Sequence, residues 1–576
     1  MFAVLALGVS FTACNNDDVP NTPQGEDGDT HMSVSLRLST KSSRLTEDDY
    51  NAVGKWAGQD EITNLIVYLV DGSTVTHKKF EVGTGKPYQV VDDSGVKRIA
   101  PKTNDAAIRT TAGKKDVYVL VNATAKIETH LNHASVAAFE RAYNEVALGL
   151  LDGVTDKTVS AASFLSVGDD EKDIITMTNV SKASLTVTAG VSASESVGNG
   201  GDYGKDVVNR VTVQVERALA RVMVTIEGAD DGTFNVPSND PQNPGTVGVL
   251  SDITWVVAQG ESKIFVQRQA EWVTPEYSWI PTNNHDYWAQ SNSGADNTYD
   301  YSGLYENQGT GFGGTVVPAL TGYKALADGN SKEDVLASIG LDANALNGKF
   351  ILPTTHEYDA AGKFYKKGNT AYVLVRAKFT PADDAWGDTG TQAADGTFYI
   401  GVDGRFYTTA QAAYNETKDV TIAKYPEGKV LYYAWVNPDK IPDWYNSPVL
   451  RNNIYHIHIS GFRNIGTNWN PLFPELPDHN PKIPNPNYDP NEPEGPSNPK
   501  EIDNPNYNPE DRDNPDPKPT PETVTDPDDP SKEIPTEEPD NPIDPEDPLT
   551  KEETWMSVDV EVLQWNVHSY KVDLGI

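Results

Sequence analysis

The chain has 576 residues, with 84 acidic against 46 basic side chains and a formal net charge of -38. So acidic a chain does not seek nucleic acid or anionic lipid through its own charge. The length suffices for two to four domains with sizeable cores, and the single cysteine, Cys14, excludes an internal disulfide.

In chain order, residues 1–14 read MFAVLALGVSFTAC, an apolar run that meets small residues and then the cysteine. The run is too short to span a bilayer. Phe11-Thr12-Ala13-Cys14 is lipobox-like, so 1–14 is expected to be a lipoprotein signal with Cys14 the lipidated (palmitate-bearing) residue. No Lys or Arg precedes the run, which leaves the true start open. Residues 15–44 are a leash followed by a strand. Met32-Ser33-Val34-Ser35-Leu36-Arg37-Leu38 alternates strictly, placing Val34, Leu36 and Leu38 on one apolar face. The polar stretch from Lys41 to Asp48 reads as an exposed loop, and Arg44 there is open to a trypsin-like protease. A cut between Arg44 and Leu45 frees the first strand. An ordinary solvated loop is the plain alternative, and Arg37 and Lys41 are competing sites.

The body reads as all-β with a few short helices. Strands are expected at 62–70, 117–121, 185–191, 207–215 and 222–226, then at 253–258, 371–379, 398–402, 430–436 and 454–459. A helix capped by Ser135 is expected over 135–148, with shorter ones over 332–339 and 409–415. Strands dominate and β–α–β alternation is missing, which favours sandwiches. We place one domain over 45–216 and a second over 217–469. Residues 283–314, rich in Tyr, Asn, Ser and Gly, read as long surface loops.

Over residues 470–555 the composition changes. About 23 of the 39 prolines fall here, with few large apolar residues. The tract cannot form a core of its own and is expected to be extended and solvated. As a coil of ~80 residues it spans roughly 50 Å.

The chain ends, over 556–576, with a second version of the first strand. Met556-Ser557-Val558-Asp559-Val560-Glu561-Val562 opens on the same Met-Ser-Val and alternates in the same register. Leu563, Trp565 and Val567 then switch phase, and Tyr570, Val572 and Leu574 switch back. Each slip is expected to be a bulge or bend in one long strand. A groove that accepts the first segment can accept the second, which is the layout of a subunit that polymerises by swapping strands. A strand folding back into its own sheet is the bland alternative.

No catalytic motif is evident, and no cofactor or metal is expected. His456 and His458 share one strand face without a third ligand. Helix capping by Ser331, with Asp334 at the third helical position, explains the weakly calcium-like 328–334. Trp255, Tyr432, Tyr433 and Trp435 read as core.

Five blocks together carry a resemblance: 252–260 (DITWVVAQG), 368–379 (GNTAYVLVRAKF), 428–435 (GKVLYYAW), 451–459 (RNNIYHIHI) and 565–574 (WNVHSYKVDL). On these the chain resembles the major shaft subunits (fimbrilins) of the short, "minor" fimbriae of Bacteroidales, a type V pilin family. The resemblance implies two transthyretin-like β-sandwich domains and an exported lipoprotein precursor at the outer membrane, lipidated at Cys14. It implies removal of the first strand by an arginine-specific protease after Arg44, although Leu45 stands where the family pattern has a small residue. It further implies assembly head to tail with identical subunits through Met556–Leu574 as donor strand. Anchor and tip accessory subunits, and host or bacterial surface receptors, are the other partners implied. The mature form is expected in extracellular fimbriae, serving adhesion and biofilm formation. A fimbrial tip or accessory adhesin, or a monomeric surface glycan-binding lipoprotein, are the rival readings.

Overall fold

The computed structural model describes residues 30–38 and 61–574 apart from internal gaps, the longest being 148–158, 280–297, 338–347, 474–481, 504–513 and 550–558. Among the described residues the fold is all-β, with short helices at Ala125–His130, Val136–Asn144, Ala193–Val197 and Ala410–Thr417.

The first domain is a ten-stranded sheet. Its path runs Thr74–Glu81, Asn64–Asp71, Gly113–Val121, Met177–Asn179, Arg210–Arg217, Thr30–Leu38, Val96–Pro101, Tyr88–Asp93. Ala183–Val187 joins Gly113–Val121, and Ile108–Thr110 joins the first strand. The central strands are apolar on both faces because both faces are covered. Leu65, Val67 and Leu69 point into one core with Val117, Val119, Val213 and Phe80. The alternate residues Ile66, Tyr68 and Val70 point into another with Tyr118, Leu120, Phe139 and Tyr143. Phe139 and Tyr143 belong to the helix Val136–Asn144, whose first turn is capped by the Ser135 hydroxyl accepting from Ala138 N at 3.2 Å.

The second domain is a β-sandwich. One sheet orders Ala319–Leu320, Ala220–Glu227, Ile454–Phe462, Val567–Leu574 and Asp559–Leu563, with Lys349–Ile351 also on Ala220–Glu227. The other orders Phe234–Pro237, Thr246–Ala258, Tyr372–Pro381 and Lys429–Trp435. Val222, Val224, Ile457 and Ile459 of the first meet Trp255, Val373, Val375 and Tyr432 of the second across one core. The outer face of the second sheet is covered as well. Residues 299–305, expected as surface loop, instead place Tyr299, Tyr301 and Leu304 against Val256, Leu374, Tyr433 and Trp435. Their aromatic content suits an apolar sheet face better than water.

The two domains share a core. Ile66, Tyr118 and Phe139 of the first pack in one cluster with Met223, Val266, Leu352 and Ile454 of the second. Polar ties flank it: Arg221 pairs with Asp173 at 3.0 Å, and buried Arg451 donates to Val266 O at 3.0 Å and Thr178 Oγ1 at 3.3 Å.

The proline-rich tract differs most from expectation. Rather than extended and solvated throughout, residues 514–549 lie docked on the second domain. Thr523–Asp526 and Asp529–Pro535 form a hairpin, and Val524 enters an apolar cluster with Tyr399, Tyr407, Ala413 and Tyr414. Gln411 clasps Thr525, donating to its carbonyl at 3.0 Å and accepting from its N–H at 2.7 Å. Further on, Lys367 N donates to Asp547 O at 2.9 Å, Gly368 N to Pro545 O at 2.9 Å, and Leu549 is buried. Low apolar content does prevent the tract from building a core. It does not prevent a few anchors, and proline carbonyls, from borrowing partners on a finished domain.

Candidate functional site

The first strand occupies an unusual place. Its sequence follows from its surroundings: Met32, Val34, Leu36 and Leu38 are all buried, in one core with Leu65, Val117, Ile99 and Val213. Four such side chains contribute roughly 6–12 kcal/mol before ordering losses. On one side the strand pairs in parallel with Arg210–Arg217, six consecutive partners from Ser33↔Arg210 to Leu38↔Val215. Its other side is antiparallel to Ile108–Thr110 (Thr30↔Thr110 to Met32↔Ile108) and to Val96–Pro101 (Leu36↔Ile99, Arg37↔Arg98). It is thus a central strand although it lies near the start of the chain.

The opposite face is polar, and its two serines are buried and tied down. Ser33 and Ser35 lie at 0% and 3% exposure. Ser33 Oγ donates to Ser196 O at 2.6 Å and accepts from Arg210 Nε at 3.3 Å. Ser196 belongs to the short helix Ala193–Val197, begun by a Ser192/Glu195 capping box and ended at Gly198, whose φ of 61° suits glycine. The Arg210 guanidinium also donates to Val197 O, at the end of that helix. Thr30 is held as firmly. Its hydroxyl donates to Thr188 O at 2.6 Å and accepts from Val191 N at 3.1 Å and Asn209 Nδ2 at 3.3 Å. Asn209, in the left-handed region at φ 53°, also donates to His31 O at 3.0 Å and accepts from Ser33 N through its carbonyl at 3.0 Å. Tyr88 is buried in the same core; burial pushes its phenol up, and the neutral hydroxyl donates to Ala106 O at 3.3 Å.

Among the residues named from sequence, Val34, Leu36 and Leu38 line this groove. Arg37 has an exposed side chain, but its backbone is engaged on both sides. Cys14, Arg44, Leu45, Met556, Val558 and Trp565 lie outside the described residues. Val560, Val562 and Leu563 fall in Asp559–Leu563, while Val567, Tyr570, Val572 and Leu574 fall in Val567–Leu574. These are not one long strand. They run antiparallel to each other, Asp559↔Lys571 to Leu563↔Val567. The expected bend is a reversal, and it sits where two apolar residues in succession, Val562 and Leu563, break the alternation. Val567–Leu574 pairs in parallel with Ile454–Phe462, from Ile454↔Val567 to Phe462↔Leu574. Each terminal segment therefore lies parallel to a body strand, at the Arg210–Arg217 strand and at the Ile454–Phe462 strand.

The histidine pair is a buried polar relay. Thr225 Oγ1 lies 2.7 Å from His456 Nε2 and 2.8 Å from His458 Nδ1, and His458 Nε2 lies 3.0 Å from Glu227. Burial holds His456 well below the usual imidazole range. Among the described residues no three His, Cys, Asp or Glu side chains converge on one point.

A family model of the C-terminal domain of major fimbrial subunit proteins (type IV, fimbrillin) matches residues 423–571. The minor fimbrium subunit Mfa1 of Porphyromonas gingivalis is 31% identical over 495 residues, 83% of this chain and 88% of that protein. The chain belongs to this family of fimbrial subunits. The crystal structure of a Porphyromonas gingivalis fimbrilin aligns with this fimbrial subunit at 16% identity and TM-score 0.34, over 77% of this chain and 93% of that one. The tip fimbrial protein Mfa3 of the same organism aligns at 9% identity and TM-score 0.29, over 75% and 94%.

Sequence reasoning about this fimbrial subunit left out Thr30, Ser196, Asn209 and Arg210. The available signal was the small polar residues Ser33 and Ser35 on a strand flanked by apolar positions. Small hydroxyl side chains on one face of a strand whose other face is apolar imply a lid over the polar face.

Proposed function

We propose that this fimbrial subunit is the shaft subunit of a cell-surface fimbrium and polymerises by protease-triggered donor-strand exchange. The observation that carries the reading is the first strand: central in its sheet, fully buried on its apolar face, yet separable from the body by one cut in 39–60. Before the cut no sheet edge is open there, so the precursor travels closed. An arginine-specific protease acting after Arg44 leaves a groove lined by Leu65, Val117, Ile99 and Val213. Residues 556–574 of the next subunit fill it, with the antiparallel pair Asp559–Leu563 and Val567–Leu574 opening into an extended strand. A head-to-tail contact of this kind does not close on itself and so gives a filament. Anchor and tip subunits end the fibre, whose role is adhesion and biofilm formation, and Cys14 carries the lipid of the outer-membrane precursor. The subunit is structural rather than catalytic.

The docked tract changes how the donor is delivered. From Leu549 to Met556 there are seven Cα steps, about 25 Å at full extension. The donor segment therefore departs from a fixed point on the second domain.

The test is polymerisation of residues 15–576 after limited trypsin, read by electron microscopy and N-terminal sequencing, beside a chain lacking 556–576. Fibres from the full chain alone, with a new terminus at Leu45, are expected. A cut chain that stays monomeric sinks the reading.

A further inference from the structure

Donor-strand exchange, on which this inference rests, leaves open how the groove recognises its occupant and in which register. The apolar face carries little register information, since a shift by two residues presents another row of similar side chains. The hydroxyl groups of the strand, which an odd spacing puts on opposite faces, are different. Thr30 and Ser33, three residues apart, each enter a slot of buried backbone groups: Thr188 O and Val191 N for the first, Ser196 O for the second. Asn209 bridges the two slots, reaching Thr30 Oγ1, His31 O and Ser33 N. A hydroxyl missing from either slot leaves buried polar groups without a partner, a penalty that apolar contacts do not replace.

The start of the first strand is Thr30-His31-Met32-Ser33-Val34. In the C-terminal segment the sequence reads Thr554-Trp555-Met556-Ser557-Val558. Thr, Met, Ser and Val recur at the same spacing, with an aromatic ring at the second place of both. We infer that the groove reads a Thr-x-Met-Ser-Val code, so that the incoming segment lies with Thr554 in the place of Thr30 and Ser557 in the place of Ser33. The donor then begins two residues before Met556.

This register fixes the remaining partners. Val558, Val560 and Val562 take the places of Val34, Leu36 and Leu38, and Glu561 takes that of Arg37. The last exchange carries a bias. Arg37 lies directly opposite Arg98 on the Val96–Pro101 strand. Like charges directly opposite one another weaken a strand pair, and opposite charges strengthen it. Glu561 in that place turns a like-charge juxtaposition into a complementary one, favouring the donor over the strand it displaces by a few-fold.

Disulfide trapping between neighbouring strands reads the register. Arg37 faces Gln214 across the parallel ladder, so the inference puts Glu561 of one subunit beside Gln214 of the next. Strand neighbours lie within disulfide reach. Three double variants of the 15–576 chain, which lacks other thiols except through these changes, are cut with trypsin under reducing conditions, oxidised and run on non-reducing gels: Gln214→Cys with Glu561→Cys, with Asp559→Cys, or with Leu563→Cys. A covalent ladder from the Glu561→Cys pair alone is expected. Fibres that yield a ladder from either shifted pair instead, or from none, overturn the register and leave strand exchange standing. No fibre from the unsubstituted chain overturns strand exchange and the register together. In parallel, Thr554→Val with Ser557→Ala is expected to speed urea-driven disassembly by about tenfold or more; an unchanged rate overturns the code.

Discussion

Arg376 and Asp516 meet at 2.6 Å with no side-chain surface exposed on either, one from a central strand of the second domain and the other from the proline-rich tract. Lys429 reaches the same carboxylate at 2.9 Å, and Arg376 also donates to Leu304 O at 2.7 Å. Removing one member of such a buried pair leaves the other charged and unpartnered. Asp516→Ala is therefore expected to lower stability by about 3–5 kcal/mol in urea titration, and to expose the tract around Lys518 and Lys532 to trypsin. Asp516→Leu combined with Arg376→Met is expected to recover much of the loss. Equal stability of the single variant and the parent would dismiss the latch.

Leu36 separates the precursor from the fibre. Leu36→Ala truncates a side chain at 0% exposure in the first core. In the uncut chain the expected cost is about 2–5 kcal/mol, read by denaturant unfolding. If the first strand leaves on cutting, fibres from the variant should match parental fibres in stability. A weaker fibre would mean that the first strand stays.

Acid should weaken the subunit through two buried imidazoles. Burial lowers His356 from 6.5 to about 4, and His456 well below 6.5. Below pH 6.5 the unfolded chain takes up protons that the folded one refuses, so stability is complete above that pH and declines as pH falls. Each group contributes a slope of about 1.4 kcal/mol per pH unit. For His356 the total is about 3 kcal/mol by pH 4. Unfolding free energies of the parent and His356→Gln at pH 7 and pH 4.5 test this: the variant should show the smaller decline.

Deleting 559–576 should open a sheet edge. Val567–Leu574 covers the Ile454–Phe462 strand along its length. Without it, unpaired N–H and C=O groups line an apolar domain. Light scattering of the uncut, truncated chain is expected to show self-association that the full chain lacks. A truncated chain that stays monomeric at tens of micromolar would show the edge to be protected otherwise.

Much of the sheet architecture was legible because it rests on local alternation. Asn64–Asp71, Gly113–Val121, Tyr372–Pro381 and Ile454–Phe462 lie where runs of β-branched and aromatic residues placed strands, and Ser135 caps a helix as its spacing required. The aromatic residues Trp255, Tyr432, Tyr433 and Trp435 are core, as read. What escaped depends on distant partners. Nothing within the proline-rich tract announces that Asp516 answers Arg376 across 140 residues. Likewise the importance of Thr30 lies in Thr188, Val191 and Asn209, which sequence spacing does not link to it. The reversal in the C-terminal segment was visible as a phase slip, but a bend and a turn leave the same trace.

The parallel ladder between Thr30–Leu38 and Arg210–Arg217 also has a mechanical meaning. Pulling along the strand axis strains its cross-links side by side, so they must fail together. Pulling sideways strains only the outermost. Just beyond Arg217 the chain enters Ala218 and Leu219, both fully buried in the core that the two domains share. Load taken up by the slot thus passes into a junction with no free hinge. An occupant held in this way resists tension along its length, yet can be peeled out from one end.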